Sequence, residues 1–240
     1  MAKREKIHFE SVDELLGAPT YKEGTEEISI DKIRPFKDHP FKVVDDEKMD
    51  DLVESIRTSG VLTPVLVRPD KDGGYEMISG HRRMHAAIRA DLTTIPAIVK
   101  EMADDEATIF MVDSNVQREE ILPSERAHAL SIKMEAMRRQ GKRSDLTSGT
   151  ECPKLSADSA GEAYGLKARQ VRKYVKLTEL IPGLLDMVDD KTISIAMGYD
   201  IAFFDKDVQQ WIYEYRKENG ILRPEQIDAL KEATYLHHDF

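Results

Sequence analysis

A strand and a helix are predicted to meet at Tyr75-Glu76-Met77-Ile78-Ser79-Gly80-His81-Arg82-Arg83. The residues before Gly80 suit a short strand, and the residues after it suit a helix. Glycine lets the backbone approach a ligand closely, the N–H groups at a helix start attract anions, and arginine forks match phosphate oxygens. The junction therefore predicts an anion-binding turn. The alternative is an ordinary glycine turn followed by solvated arginines.

Short strands and amphipathic helices are predicted on both sides of this junction. Strands are expected at residues 28–33, 61–68, 75–79 and 94–100, and helices at residues 45–59, 82–90 and 104–115. Asp72-Gly73-Gly74 suits a hairpin turn between two of the strands. Residues 27–120 are therefore predicted to form one α+β domain, preceded by a flexible tail at residues 1–26.

The second half of the chain, residues 121–240, is predicted to be all-α. A long helix begins at Pro123-Ser124 and runs to about residue 139. A loop rich in glycine, serine and threonine is expected at residues 141–154. Shorter helices are expected after it, at residues 156–164, 168–180, 182–189, 194–204, 205–219 and 224–231.

Composition narrows the class of protein. The chain has 240 residues, a net charge of −10 and one cysteine, so neither an internal disulfide framework nor a multi-cysteine zinc site is expected. No apolar run approaches the ~18 residues of a membrane span, and no signal peptide opens the sequence. We therefore expect a soluble cytoplasmic protein. Residues 121–180 carry 12 basic and 7 acidic residues, a net +5 inside an acidic chain.

The basic segment contains a candidate pair of DNA-binding helices at residues 156–177. Gly161 allows the helices to pack closely, Gly165 makes the turn, and Val171 and Tyr174 form the buried face of the second helix. Its other face carries six side chains suited to phosphates or base edges: Lys167, Arg169, Gln170, Arg172, Lys173 and Lys176. The pattern is typical of a helix-turn-helix. The alternative is a helical hairpin with a solvated basic face.

A third polar cluster, Asp113-Ser114-Asn115-Val116-Gln117-Arg118, ends the last predicted helix of the first domain. The side-chain amides of Asn115 and Gln117 offer oxygen ligands, and Arg118 offers a phosphate partner. Mg²⁺ commonly takes one or two protein oxygens together with substrate phosphates. The cluster is compatible with such a site, but taken alone it is more typical of an ordinary polar helix end.

Taken in order, three stretches resemble motifs of the ParB family of partition proteins. These are Gly60-Val61-Leu62-Thr63-Pro64-Val65-Leu66-Val67-Arg68, Ser79-Gly80-His81-Arg82-Arg83-Met84-His85-Ala86-Ala87 and Ser114-Asn115-Val116-Gln117-Arg118-Glu119. The helix pair comes where that family has its helix-turn-helix. The resemblance covers about residues 26–232. It implies an α+β ParB/sulfiredoxin-like domain followed by an all-α helix-turn-helix domain.

The resemblance also implies a mechanism. Members of the family bind CTP with Mg²⁺ and a palindromic, centromere-like DNA site, and two protomers close into a sliding clamp that slow CTP hydrolysis reopens. Carried onto this sequence, the nucleotide is bound by Thr63, Pro64, Gly80, His81, Arg82, Arg83, Gln117 and Arg118. Asn115 coordinates Mg²⁺ and is the candidate catalytic residue. DNA is bound by Lys167, Arg169, Gln170, Arg172 and Lys173.

Two positions depart from the family pattern, because His81 and Ser114 each stand where the family has glutamate. In the family, the glutamate at the position of Ser114 is tied to metal binding and hydrolysis. The sequence therefore predicts nucleotide binding more firmly than hydrolysis of the nucleotide. The family likeness further implies a homodimer, a ParA-type Walker ATPase partner, association with the nucleoid or a plasmid, and a role in chromosome, plasmid or mobile-element segregation. Two alternatives stay open: a DNA-binding transcription regulator with a degenerate nucleotide pocket, and a small-molecule kinase of the same fold.

Overall fold

The computed structural model describes residues 24–115, 121–147 and 157–237, and the chain divides into two compact units. The first unit is Met1–Ala103 and the second is Asp104–Phe240. The predicted tail at residues 1–26 lies almost entirely outside the described residues. The sequence predicts a boundary between residues 120 and 121, whereas the helix that begins at Asp104 groups with the second unit.

A five-stranded mixed sheet and two helices form the first unit. Its strands are β1 (Thr25–Ser29), β2 (Ile33–Arg34), β3 (Val65–Pro69), β4 (Tyr75–Ser79) and β5 (Thr94–Val99), and its helices are α1 (Glu47–Ser59) and α2 (His81–Arg89). The strand order is β1-β5-β3-β4-β2. β1–β5 and β3–β4 are antiparallel pairs, and β3–β5 and β2–β4 are parallel pairs.

The core of the first unit lies where both helices cover this sheet. Met49 and Val53 of α1 are buried against Val65 and Met77 of the sheet, and α2 adds Ala87. The Asp46 side chain caps α1 by accepting a hydrogen bond from the Met49 N–H group at 2.8 Å. The predicted helices and hairpin are confirmed here.

The single strand predicted at residues 28–33 is two strands on opposite edges of the sheet. A 3-10 turn, Ile30–Lys32, separates them. β1 pairs with β5, and β2 pairs with β4 at the other edge. Alternation over six residues cannot show this break, because each short strand keeps its own inward-facing isoleucine, Ile28 and Ile33.

The second unit is helical throughout its described part. Its helices are α3 (Asp104–Ser114), α4 (Pro123–Thr147), α5 (Ala157–Gly161), α6 (Ala168–Leu177), α7 (Pro182–Asp189), α8 (Ile195–Ile201), α9 (Lys206–Asn219) and α10 (Pro224–His237), with a 3-10 turn at Glu162–Tyr164. The predicted fold class, an α+β part followed by an all-α part, is therefore confirmed. Across residues 24–115, 121–147 and 157–237, no helix is both long and apolar enough to cross a membrane.

The long helix α4 extends further than its sequence suggests. A loop is predicted from residue 141, but α4 continues to Thr147, so that prediction is wrong for residues 141–147. One glycine inside a helix costs only about 1 kcal/mol, which good helix formers on either side can offset. The rest of the predicted loop, residues 148–154, lies outside the described residues.

Candidate functional site

Gly80 occupies the junction between β4 and α2, and its backbone adopts a left-handed conformation with φ +113°. A Cβ atom at this position would lie 2.6 Å from the Val65 Cγ1 atom. Conformation and space therefore both require glycine here. The first turn of α2 presents backbone N–H groups that a helix cannot satisfy internally. The predicted strand-glycine-helix geometry is confirmed, and anion binding at it stays a prediction.

Arg82 is held only loosely. Its Nη2 atom lies 3.5 Å from Asp46 Oδ1, and its side chain is 31 % exposed. The same Asp46 oxygen already accepts the N–H group of Met49 that caps α1. Because the pair with Asp46 is longer than a good hydrogen bond, Arg82 can turn to a phosphate at little cost.

The neighbouring arginine, Arg83, braces the chain that leads into β3. Its Nη1 atom donates to the backbone carbonyls of Thr63 at 2.7 Å and Pro64 at 2.5 Å. Burial lowers the pKa of its guanidinium. Both predicted nucleotide-binding residues of the Thr63-Pro64 segment are thus tied to α2. The structure brings them together with Gly80 and Arg83.

His81 faces the loop that follows β2. Its ring lies 3.7 Å from the ring of His39, tilted by 31°, and the Phe36 N–H group approaches its Nε2 atom at 3.4 Å. The Nδ1 atom of His39 lies 2.8 Å from the Phe41 carbonyl oxygen. Because a carbonyl oxygen can only accept a hydrogen bond, this nitrogen carries a proton and donates it. The imidazole of His81 therefore packs with a partner ring, a role that a glutamate would not fill.

An ion-pair network holds α1 and α2 together behind this junction. Asp45 accepts hydrogen bonds from His85 at 2.9 Å and Arg89 at 2.9 Å, and Arg89 also pairs with Asp50 at 2.7 Å. The hydrogen bond from His85 is the main cause that lowers the pKa of the Asp45 carboxyl, and Arg89 adds to it. This network ties the middle and the end of α2 to the start of α1.

The polar cluster at the end of α3 belongs to the second unit. Ser114 Oγ and Asn115 Nδ2 each donate to the Met111 carbonyl at 2.9 Å, which leaves the Asn115 amide oxygen as its candidate ligand atom. Asp113 pairs with Lys133 Nζ at 2.5 Å, and the Lys133 side chain is only 5 % exposed. Asp113 is therefore committed to a buried ammonium and does not replace the carboxylate missing at Ser114.

Two predicted nucleotide-binding residues, Gln117 and Arg118, lie outside the described residues. Within residues 24–115, 121–147 and 157–237, no group of three histidine, cysteine, aspartate or glutamate side chains is placed to hold a metal ion. Asn115 as a ligand of Mg²⁺ stays a prediction.

The predicted helix pair consists of α5, the 3-10 turn and α6. A Cβ atom on Gly161 would lie 2.5 Å from both the Leu166 carbonyl oxygen and Val171 Cγ2, so the two helices touch at this glycine. Gly165 makes the turn with φ +62°. Val171 is fully buried. Both glycines have the roles that the sequence assigns to them.

Four predicted DNA-binding cations stand on the accessible side of this pair. Lys167, Arg169 and Arg172 are exposed and Lys173 is half-buried. In the described part of the chain none of the four forms an ion pair, whereas Lys176, one turn further, pairs with Glu179 at 2.6 Å. Uncompensated positive charge is therefore concentrated on the first two turns of α6.

Gln170 has a structural task besides its predicted contact with DNA. Its Oε1 atom accepts a hydrogen bond from the Lys167 N–H group at 3.1 Å and so caps the first turn of α6. Its amide N–H groups stay available for a base edge or a phosphate. Gln170 as a DNA-binding residue stays a prediction.

Arg126 of α4 contacts two tyrosines of the helix pair, and the sequence did not single it out. Its guanidinium lies 5.4 Å from the centroid of the Tyr174 ring and 5.9 Å from that of Tyr164, and it donates to the Tyr174 hydroxyl at 3.4 Å. Burial is the main cause that raises the pKa of Tyr164, so its phenol stays neutral. No local signal marks Arg126, because its partners lie about 40–50 residues away along the chain.

Comparisons with known proteins show which proteins the chain is similar to. Residues 17–116 match the family model of the ParB N-terminal domain. The chromosome-partitioning protein Spo0J of Thermus thermophilus is 29 % identical over 209 residues, which cover 87 % of this chain and 71 % of that protein. A nucleoid occlusion protein of Listeria monocytogenes is 35 % identical over 127 residues, 53 % of this chain and 44 % of that protein.

One solved structure supports the fold over most of the chain. It is the C-terminally truncated chromosome-partitioning protein ParB from Caulobacter crescentus, complexed to the centromeric parS site. The match has a TM-score of 0.51 at 24 % identity and covers 85 % of this chain and 97 % of that one. Residues 17–116 therefore match the ParB N-terminal domain, and over most of its length the chain is similar to chromosome-partitioning proteins of the ParB type.

Proposed function

We propose that this protein is a CTP-binding, DNA-binding partition protein of the ParB type. The observation that carries the proposal is the set of four cations on α6, Lys167, Arg169, Arg172 and Lys173, which lack carboxylate partners among the described residues. The relatives support the same function, since the Thermus protein is a chromosome-partitioning protein and the Caulobacter protein is complexed to a centromeric site.

The DNA-binding part of the proposal rests on the positive charge of α6 and on the packing that holds this helix in place. The protein is acidic overall, with net charge −10, so binding to a polyanion requires a local basic surface. The helix pair supplies that surface, and Gly161 and the buried Val171 set it rigidly on α4 and α5. We propose that the pair is a helix-turn-helix and that α6 enters the major groove.

The nucleotide-binding part rests on the Gly80 junction. The left-handed glycine and the first turn of α2 would receive the triphosphate, and Arg82 would leave Asp46 to bind it. Arg83 would hold the Thr63-Pro64 segment as the wall for the base. Selectivity for CTP comes from the family likeness, which a solved complex of the Caulobacter protein with CTP-γ-S also supports.

Mg²⁺ would be held by the Asn115 amide oxygen and the phosphates. Bound there, the ion would neutralise phosphate charge and orient the triphosphate. Position 114 is serine and Asp113 is paired with Lys133, so neither of these two positions offers a free carboxylate for hydrolysis. We therefore propose nucleotide binding with slow or no turnover.

The wider biology of the family is proposed on the same basis. Two protomers would form a homodimeric clamp on DNA, gated by CTP, at a palindromic site on a chromosome, plasmid or mobile element. A ParA-type Walker ATPase would be the partner in segregation. The protein would act in the cytoplasm, bound to the nucleoid or a plasmid.

One alternative keeps specific support. A DNA-binding transcription regulator with a degenerate nucleotide pocket would also have His81 and Ser114 in place of acidic residues. A small-molecule kinase needs a general base, for which the sequence offers Asp113 or Glu119; Asp113 is already paired with a buried lysine, and Glu119 lies outside the described residues.

Titration calorimetry with the four nucleoside triphosphates and Mg²⁺ tests the nucleotide site. We expect selective binding of CTP, lost in Arg82→Ala and kept in the control Arg34→Ala, which removes an exposed arginine from the same unit. Binding of CTP that is unchanged by Arg82→Ala would contradict the phosphate assignment. Absence of binding to any nucleotide, with or without parS DNA, would favour the regulator.

Fluorescence anisotropy with a duplex carrying the parS site and with a scrambled duplex tests the DNA surface. Arg169→Ala combined with Arg172→Ala should weaken binding and lower the slope of log K against log salt by about 2, since each lost phosphate contact removes about 1. The control pair, Lys217→Ala with Arg223→Ala, removes the same charge elsewhere in the second unit. Equal losses in both pairs would mean that α6 is not the DNA surface.

A further inference from the structure

Beside α6, the residues of α8 and the turn that follows it present an aromatic pair. The rings of Tyr199 and Phe203 meet edge to face, with centroids 5.0 Å apart and planes at 85°. Phe203 is 60 % exposed, so its ring is accessible from the solvent. The pair lies against the basic helix, since α6 and α8 pack together.

Each ring of the pair carries one lysine of α6. Lys173 Nζ lies 5.5 Å from the centroid of Tyr199, and Lys176 Nζ lies 4.2 Å from that of Phe203. The two lysines differ in their charge environment. Glu179 neutralises Lys176 at 2.6 Å, whereas Lys173 makes no ion pair in the described part of the protein.

We infer that Tyr199, braced by Phe203, is a positioning residue that holds the Lys173 ammonium for a phosphate of bound DNA. The inference rests on the proposed DNA-binding function and deepens it. It extends the nucleic-acid surface beyond α6 to α8 and assigns two aromatic residues to it.

The physical reason is that a ring restrains a cation without neutralising it. A lysine side chain has many rotamers, and fixing it on a phosphate opposes binding. The negative face of an aromatic ring favours a restricted set of positions and leaves the ammonium charge and its N–H donors available. A carboxylate in the same place would cancel the charge, as Glu179 does at Lys176. The half-buried ring of Tyr199 beside Lys173, which has no ion-pair partner among the described residues, therefore suits a phosphate contact.

A double-mutant cycle on the full chain tests this coupling. The variants are Tyr199→Leu, Lys173→Met and both together, with Tyr199→Phe as the matched control that keeps the ring. Affinity is measured by anisotropy on the parS duplex and on the scrambled duplex. We expect Tyr199→Leu to weaken binding about two- to five-fold, as the loss of a cation–π contact that is still partly solvated would. Tyr199→Phe should bind like the wild type.

The decisive result is the effect of Tyr199→Leu in the Lys173→Met background. If the ring acts through the lysine, the tyrosine substitution has no further effect there. The loss should also be equal on both duplexes, because phosphates are common to them. Equal losses from Tyr199→Leu with and without Lys173 would overturn the inference, and so would a loss in Tyr199→Phe.

Folding is checked on every variant through denaturation followed by Trp211 fluorescence. If Tyr199→Leu is unfolded, Phe203→Leu replaces it, since this change removes a mostly exposed ring and only the brace. We expect Phe203→Leu to weaken DNA binding less than Tyr199→Leu does, and to have no effect in the Lys173→Met background. A loss of affinity that is the same with and without Lys173 would contradict the role of Phe203 as a brace. A wild-type protein that binds neither duplex would refute the proposed function, whereas wild-type binding with additive effects refutes only the coupling.

Discussion

The contact between α5 and α6 at Gly161 gives the sharpest test of how the second unit is built. In Gly161→Ala, the new Cβ atom would lie 2.5 Å from the Leu166 carbonyl oxygen and from Val171 Cγ2. Ordinary contacts of carbon atoms begin near 3.5 Å, so each neighbour must move by about 1 Å. The carbonyl of Gly161 also accepts the Leu166 N–H group at 3.0 Å, which holds this segment in place.

The magnitude follows from two opposing effects. Overpacking of a filled site costs up to about 3 kcal/mol, and a backbone oxygen that cannot rotate away favours the upper end. Alanine offsets about 1 kcal/mol of this through its higher helix propensity. We therefore expect Gly161→Ala to lower the free energy of unfolding of the second unit by about 2 kcal/mol, and to weaken DNA binding because α6 is displaced.

Gly165 is the matched control, because it needs glycine for a different reason. No atom lies within 4 Å of a Cβ built there, and its φ is +62°. Gly165→Ala should cost about 1–2 kcal/mol through backbone strain, and Gly165→Asn much less, since asparagine tolerates this conformation. Gly161→Asn should instead cost more than Gly161→Ala, because only size matters at that site.

The assay is urea denaturation followed by the fluorescence of Trp211, the only tryptophan, which lies in α9 of the second unit. Free energies are compared at equal m-values so that changes in compactness are not mistaken for changes in stability. A Gly161→Ala variant within about 0.5 kcal/mol of the wild type would refute the contact, since surface substitutions fall in that range. If asparagine were tolerated better than alanine at position 161 but not at position 165, crowding would not be the reason for glycine at 161, nor backbone conformation the reason at 165.

Three further outcomes are expected. Asp113→Asn should lower the free energy of unfolding by about 3 kcal/mol, measured by tryptophan fluorescence, because Lys133 is left charged and buried; Lys133→Met, which leaves a partly exposed carboxylate, should cost less. The pKa of the Asp45 carboxyl is lowered, so the stability that this group contributes is fully present above its ordinary pKa of 3.8 and is lost as the pH falls below that value. Calorimetry should therefore show that acid lowers the stability of Asp45→Asn less than that of the control Asp51→Asn. Ser114→Glu should raise CTP turnover about 10²-fold in a phosphate-release assay, and Ser114→Gln should not.

Local patterns in the sequence predict much of the candidate sites, because the relevant groups are close along the chain. The strand-glycine-helix junction at Gly80 is visible from nine consecutive residues. The helix pair with Gly161, Gly165 and a basic second helix spans little more than twenty. In both, the positions of turns, helix faces and charges follow from short-range geometry, and the structure agrees with them.

The partners of individual side chains could not be predicted in this way. Arg83 resembles a phosphate ligand in the sequence, yet it braces Thr63 and Pro64, about twenty residues earlier. Asp113 is adjacent to Ser114 in the sequence. Only the packing of α3 on α4 shows that the Asp113 carboxylate already forms an ion pair with Lys133. Such pairings depend on which elements meet, and spacing along the chain does not contain that information.

By itself, the sequence determined the α+β and all-α halves, the glycine junctions and the basic face of α6, since helix and strand periods and backbone conformations are local properties. Tertiary structure alone decided that β1 and β2 take opposite edges of one sheet, and which lysines of the described α6 pair with a carboxylate. It also decided that Tyr199 and Phe203 lie beside Lys173 and Lys176. The reason is that charge compensation and ring contacts require atoms within a few ångströms, and packing between helices brings residues 173 and 199 that close.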